Sequence, residues 1–186
     1  ALAPGQQPTI GLVPRTAGSL SLRFGGDVML GRRFYEPTDL AKAWLEPGAD
    51  VSAHEAPLRQ IAPLLGDADL TVVNLETSLV DKPYFTGGRP HTFNQEKDLV
   101  FASGPQTATA LKESGVDVVD LGNNHVYDSL ATGLTSTLEA VEGAGLVHFG
   151  AGRTLAEAWA PAYVSAAGQR VAFIGCTTVT GEQYEY

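Results

Sequence analysis

The sequence predicts an α/β domain with a mainly parallel sheet flanked by helices. Three observations carry that expectation. Short apolar runs, such as Leu70–Leu75, alternate with longer segments of helical spacing. Glycines stand where the helical segments should stop, at Gly115 and Gly145. Polar clusters follow the apolar runs directly, as expected where strands deliver loops to one edge of a sheet.

Taken in order, the elements begin near Ser19. Leu20, Leu22 and Phe24 alternate with polar residues, predicting a strand over 20–24 that Gly25 and Gly26 end, with Asp27 at its carboxyl end. Residues 28–44 show no clear period, and Pro47 and Gly48 break the chain. Leu58, Ile61, Leu64 and Leu65 fall at helical spacing over 57–65, despite Pro63. Leu70–Leu75 reads as a buried strand. Residues 78–94, with Gly87, Gly88 and Pro90, read as a long loop of the kind that often carries function. A helix over 105–114, a strand over 116–121, a loop over 122–128, a helix over 130–144 and a strand over 146–149 follow. Thr154 and Glu157 form a capping box for a short helix to Trp159. Two strands, 163–165 and 170–175, flank a turn at Ala167 and Gly168. A chain of 186 residues suits one domain, residues 19–186, with residues 1–18, rich in proline and glycine, as a flexible leader.

Composition narrows the function. With 12 Lys and Arg against 21 Asp and Glu, the net charge is −9. Such a chain lacks the basic face that non-specific nucleic-acid binding requires, and an anionic membrane surface does not attract it. The excess charge either keeps the protein soluble or includes carboxylates gathered around a cation. The single cysteine, Cys176, excludes a disulfide framework and is expected as buried packing within the apolar run 171–176. No run approaches the ~20 apolar residues of a membrane span, and no secretory signal pattern opens the chain.

Three polar clusters are candidates for chemistry. They are Gly25-Gly26-Asp27-Val28-Met29, then Asn74-Leu75-Glu76, then Gly122-Asn123-Asn124-His125 with Asp128 just beyond. Carboxylate, amide oxygen and imidazole brought to one edge would suit a hard divalent ion such as Mn²⁺, Mg²⁺, Fe or Zn²⁺. Each cluster also has a plainer reading. Asp27 and Asp128 suit helix N-caps, Asn74 and Glu76 suit a strand end, and Asn123 and Asn124 suit a turn. In the loop, Lys82, Arg89 and His91 are candidates to meet an anionic substrate, or belong to a solvated surface.

The strings FGGDVMLGRRF, ADLTVVNLETSL and GVDVVDLGNNHVYD, in that order, resemble the CapA family. So does the later string GLVHFGAGRTLAEAWAPAYVSAAGQRVAFIG. That family is the poly-gamma-glutamate capsule-synthesis branch of the calcineurin-like metallophosphoesterase superfamily. The resemblance covers residues from about 21 to about 178. It implies a partial metallophosphoesterase-like α/β/β/α sandwich.

The resemblance also implies roles. Asp27, Glu76 and Asn124 would be metal ligands, and His125 the acid beside a phosphoryl group. Asn74, Asn123 and Asp128 would support them from behind. Met29 stands where related phosphoesterases carry a histidine, and a thioether is a poor ligand for a hard ion. The later histidines of the superfamily, including a Gly-His-x-His motif, have no counterpart after His125; only His148 follows, in a strand. Residues 19–186 are therefore expected to be the N-terminal part of such a domain, stopping short of its end, with weak metal binding and little activity alone. An exposed sheet edge left this way would favour self-association. The family resemblance implies capsule biosynthesis, an extracytoplasmic, membrane-associated or secreted location, and capsule synthase proteins as partners. Two alternatives stand beside it: a metal-dependent hydrolase of a phosphoester or polymer amide, and a non-catalytic polymer-binding module.

Overall fold

The computed structural model describes residues 16–37 and 42–179, so most of the expected leader lies outside the described residues. The elements are β1 (Leu22–Val28), a 3-10 turn (Arg32–Phe34), α1 (Val51–Glu55), α2 (Ala62–Leu65), β2 (Leu70–Leu75), β3 (Ser78–Leu79) and β4 (Ala102–Ser103). They continue with α3 (Gln106–Glu113), β5 (Val118–Asp120), α4 (Leu130–Gly143), β6 (Val147–Phe149), α5 (Leu155–Ala158), β7 (Ala162–Ala166) and β8 (Gln169–Phe173). Strands β1, β2, β5 and β6 lie side by side in that order, every pair parallel. The α/β design with a mainly parallel sheet is thus present. β7 and β8 form an antiparallel hairpin, and β3 and β4 a separate two-strand pair.

The sheet is covered on both faces, and strand alternation divides its side chains between two cores. Val73, Leu75, Val119 and Leu121 pack with Leu111 of α3 and with Leu138 and Val141 of α4. Leu70, Val72, Val118 and Phe149 face the other way, onto Phe173 and the apolar side of the hairpin. Burial on both faces is why β2 reads as an unbroken apolar run. Each fully buried leucine contributes roughly 1.5–3 kcal/mol of transfer free energy.

Local chemistry accounts for most boundaries. The carboxylate of Asp50 caps α1 by accepting the Ala53 N–H at 2.9 Å. Thr154 caps α5 by accepting the Glu157 N–H at 3.2 Å, while Glu157 reaches back to the Arg153 N–H at 2.8 Å. This is the expected capping box displaced by one residue at its return bond. Ala167 and Gly168 both take positive φ, 49° and 75°, as a two-residue hairpin turn between right-twisted strands demands.

Three expectations require correction. Gly25 and Gly26 do not end β1, which runs on to Val28. Phe24 pairs with Val72 and Asp27 with Asn74, so two glycines oppose the single residue Val73, as a bulge. A side chain on Gly25 would meet the Val73 side chain at 2.9 Å, which is why the bulge is made of glycine. The helix expected over 57–65 is reduced to α2, with Pro63 in its first turn and Leu64 63% exposed. Cys176 is exposed, because β8 stops at Phe173 before the apolar run is finished. β1 is the outer strand of the sheet, and its Phe24 is exposed. No helix among the described residues is long and apolar enough to cross a membrane.

Candidate functional site

The bulge in β1 decides where the first candidate residue stands. Without the extra residue Asp27 would pair with Leu75 and point to the opposite face of the sheet. With it, Asp27, Asn74, Asp120 and Phe149 form one register row across β1, β2, β5 and β6. The Asn74 amide donates to Asp27 Oδ1 at 2.9 Å. The Asn74 amide oxygen in turn accepts from Asn123 Nδ2 at 2.9 Å, which also donates to the Leu75 carbonyl at 3.0 Å. The Asn123 side-chain oxygen accepts the His125 N–H at 3.0 Å. Asn74 and Asn123 therefore tie the first strand to the Gly-Asn-Asn-His loop through side-chain amides alone. Neither is spent merely on turning the chain.

Glu76 follows β2, and its N–H donates to the Val28 carbonyl at 3.0 Å. Its carboxyl is hydrogen-bonded to that of Asp27 and lies within electrostatic reach of His125 and Asp128. Burial, and then the neighbouring Asp27 carboxyl, push the Glu76 carboxyl above its ordinary range; His125 works in the other direction. Two carboxyls in contact hold a shared proton or welcome a cation.

His125 is held in a buried polar knot. Its Nδ1 lies 2.7 Å from Asp128 Oδ2, leaving Nε2 as the ring atom available for proton transfer. Asp128 has no exposed side-chain surface. It also accepts from the Phe101 N–H and from Lys97 Nζ, whose side chain is itself buried. Lys97 also donates to the Asn124 carbonyl. The imidazole stacks on the Phe101 ring, with centroids 3.8 Å apart and planes 13° apart. The guanidinium of Arg32 lies over the same phenyl ring, 5.6 Å from its centroid.

The plainer reading of Asp128 as a helix cap does not hold. Ser129 occupies the cap position of α4 without a side-chain cap bond, and the Asp128 carboxylate serves Lys97, Phe101 and His125. Met29 is folded onto its own turn, its sulfur accepting the Gly31 N–H at 3.1 Å. A side chain on Gly31 would meet the Ala102 carbonyl oxygen at 2.1 Å, so this turn is pressed directly against β4. The next residue, Arg32, has φ 45°, a conformation that costs a bulky residue about 1–3 kcal/mol and collects at functional sites.

The loop residues divide. Arg89 donates to the main-chain carbonyls of Asn94, Lys97 and Asp98, so its guanidinium ties together the segment that carries Lys97. Lys82 and His91 are exposed. Sequence reasoning passed over Lys97, Phe101, Arg32 and Asp120. Lys97 is 31 residues from Asp128, and no local pattern announces that pairing. Asp120 carried a signal in the strand register: it stands in the Asp27 and Asn74 row, accepts the Gly122 N–H at 2.7 Å, and is pushed up in pKa by burial.

Asp27 and Glu76 form an adjoining carboxyl pair that could hold a cation, while Asn124 meets the knot through its main-chain carbonyl, which accepts from Lys97. Among the described residues no group of three or more His, Cys, Asp and Glu forms a metal cluster.

Comparison with known proteins gives this geometry its family. The model of the bacterial capsule synthesis protein PGA_cap matches residues 21–186. The capsule biosynthesis protein CapA of Bacillus anthracis is 28% identical over 158 residues, which is 85% of this chain and 34% of that protein. A probable polyglutamine synthesis accessory protein of Mycobacterium tuberculosis is 34% identical over 107 residues, 58% of this chain and 26% of its own. An uncharacterized protein of Sinorhizobium fredii is 29% identical over 127 residues, 68% of this chain and 27% of its own. The chain spans about a third or less of the length of the curated relatives it matches. With the match running from the start of β1 through the hairpin, the chain belongs to the bacterial capsule synthesis protein PGA_cap family.

Proposed function

We propose that this chain serves the synthesis of a poly-gamma-glutamate capsule, on the outer side of the membrane and beside the capsule synthase proteins. Its site at the carboxyl edge of β1, β2 and β5 binds one divalent cation, Mn²⁺, Mg²⁺, Fe or Zn²⁺, and faces an anionic group of the polymer or of a phosphoester. The observation that supports this is the unbroken run of contacts from Glu76 and Asp27 through Asn74 and Asn123 to His125, Asp128 and Lys97. A purely structural strand edge has no need of a carboxyl pair beside a buried, oriented imidazole. The bound cation would supply charge neutralisation for the anionic group. His125, fixed through Nδ1, would offer Nε2 to a leaving oxygen.

A second reading, a metal-dependent hydrolase of a phosphoester or polymer amide, draws on the same His125 and Asp128 contact. The donor set is too small for the two ions that clamp attacking and leaving oxygens in related enzymes. The experiment is calorimetric titration of Mn²⁺ into the chain and into Asp27→Ala, with a chromogenic phosphoester assay of both and of His125→Ala. One weak site lost in Asp27→Ala, with negligible turnover, is the expected result. Turnover by the unmodified chain that both substitutions abolish would establish the hydrolase reading. Mn²⁺ binding unchanged by Asp27→Ala would refute the site.

A further inference from the structure

A cleft of about 190 Å³ lies beside the site, lined among others by Arg32, Glu36, Tyr84, Phe85, Asp98 and Leu99. It adjoins His125 through Phe101: the ring that stacks on the imidazole also carries the Arg32 guanidinium. The separation of guanidinium and imidazole is at most the sum of those two stacking distances. Arg32 is held there by an unusual backbone. Its φ is 45°, and the preceding Gly31 is locked against β4 by a bridge to Ser103 and by the Ala102 carbonyl. No ion pair within 4.0 Å engages Arg32 among the described residues. Arg89, the other cation of this lining, is committed to main-chain carbonyls.

The charges of the cleft are mixed. One available guanidinium stands with the carboxylates of Glu36 and Asp98, between aromatic and aliphatic walls. A stretch of pure polyanion would satisfy Arg32 but meet both carboxylates unfavourably. A ligand carrying an ammonium and a carboxylate close together satisfies all three, and a pocket of this size has room for one such amino-acid end. In a γ-linked glutamyl chain only the amino-terminal residue has its ammonium next to a free α-carboxylate. We infer that this cleft binds the amino-terminal end of a γ-glutamyl chain, with Arg32 taking the α-carboxylate and Glu36 and Asp98 facing the ammonium. The inference rests on the proposed polymer role of the neighbouring site and specifies which part of the polymer is read. Arg32 is a specificity residue here, with a forked donor suited to a carboxylate.

The test is calorimetric or NMR titration with γ-glutamyl tripeptide, its N-acetylated form, the α-linked tripeptide and phenyl phosphate. Free γ-linked tripeptide should bind at least tenfold tighter than the acetylated and α-linked forms. Arg32→Gly should weaken it at least tenfold without lowering Tm, because glycine accepts the backbone angle that arginine strains to hold. Arg32→Gln repeats the test with the side-chain stem kept, should the glycine variant melt lower. Glu36→Gln with Asp98→Asn should weaken the free tripeptide but not the acetylated one. Without added metal, Asp27→Ala should leave tripeptide binding intact, so failure of the cation site and failure of this cleft give different results. Equal binding of free and acetylated peptide, wild-type affinity in both Arg32 variants, absence of tripeptide binding, or tighter Arg32-dependent binding of phenyl phosphate would each overturn the inference.

Discussion

Removing the Asp128 carboxylate tests the centre of the site most severely. Asp128 is wholly buried and accepts from Lys97 Nζ, the Phe101 N–H and His125 Nδ1. Asp128→Ala leaves a buried ammonium without its carboxylate and an N–H without its acceptor. Removing one partner of a buried ion pair typically costs about 3–5 kcal/mol. For a domain of this size each kcal/mol lowers Tm by roughly 2–4 °C, so a fall of roughly 6–20 °C is expected. Asp128→Asn should melt between Asp128→Ala and the parent, since its oxygen still accepts while its NH₂ must face a donor. Circular-dichroism melts of the single variants, Lys97→Met and the double variant close a thermodynamic cycle. The double variant should be less destabilised than the sum of the singles, because each single strands the other's charge. An Asp128→Ala variant melting within about 2 °C of the parent, or strict additivity, would show that this knot is not a buried ion pair and would remove the basis for an oriented His125.

Other outcomes follow from single contacts. The Glu76 carboxyl is raised above its ordinary 4.5 by burial and by Asp27, so the stability it contributes is full below 4.5 and is lost as pH rises through the raised value. Glu76→Gln should therefore melt higher than the parent at pH 7 without added metal and no higher near pH 4; a lower Tm at pH 7 would contradict the shared-proton pair. Glu142 is held down at about 2, first by its hydrogen bonds to Arg153, at 2.7 and 2.8 Å, and also by His148. That stability is present above 4.5 and lost as pH falls through about 2. Because the pair is nearly half exposed, Glu142→Gln should cost no more than ~1 kcal/mol, and less in high salt, by denaturant titration. Gly31→Ala should destabilise by about 1–3 kcal/mol or displace the turn, since its new methyl would meet the Ala102 oxygen at 2.1 Å; unchanged stability with unchanged tripeptide binding would argue against the locked turn.

Much of this protein is determined by sequence alone, because the signals are local. β2 is Leu70–Leu75 as its apolar run indicates, and α3 and α4 stop at the glycines that end their periodicity. Asp27, Asn74, Glu76, Asn123 and His125 are marked by their position at or just beyond the carboxyl ends of apolar runs, and parallel topology brings such ends to one edge. What only the tertiary structure decides involves residues far apart in the chain or a register between strands. The bulge that turns Asp27 toward Asn74 depends on which residues of β2 it meets, and two glycines signal a strand end as readily as a bulge. Lys97 and Phe101 reach Asp128 from a loop with no periodicity to place it. Arg32 acquires its meaning from the Phe101 ring beneath it. Cys176 sits in an apolar run yet is exposed, because β8 ends before it and burial is a property of what packs against a segment, not of the segment.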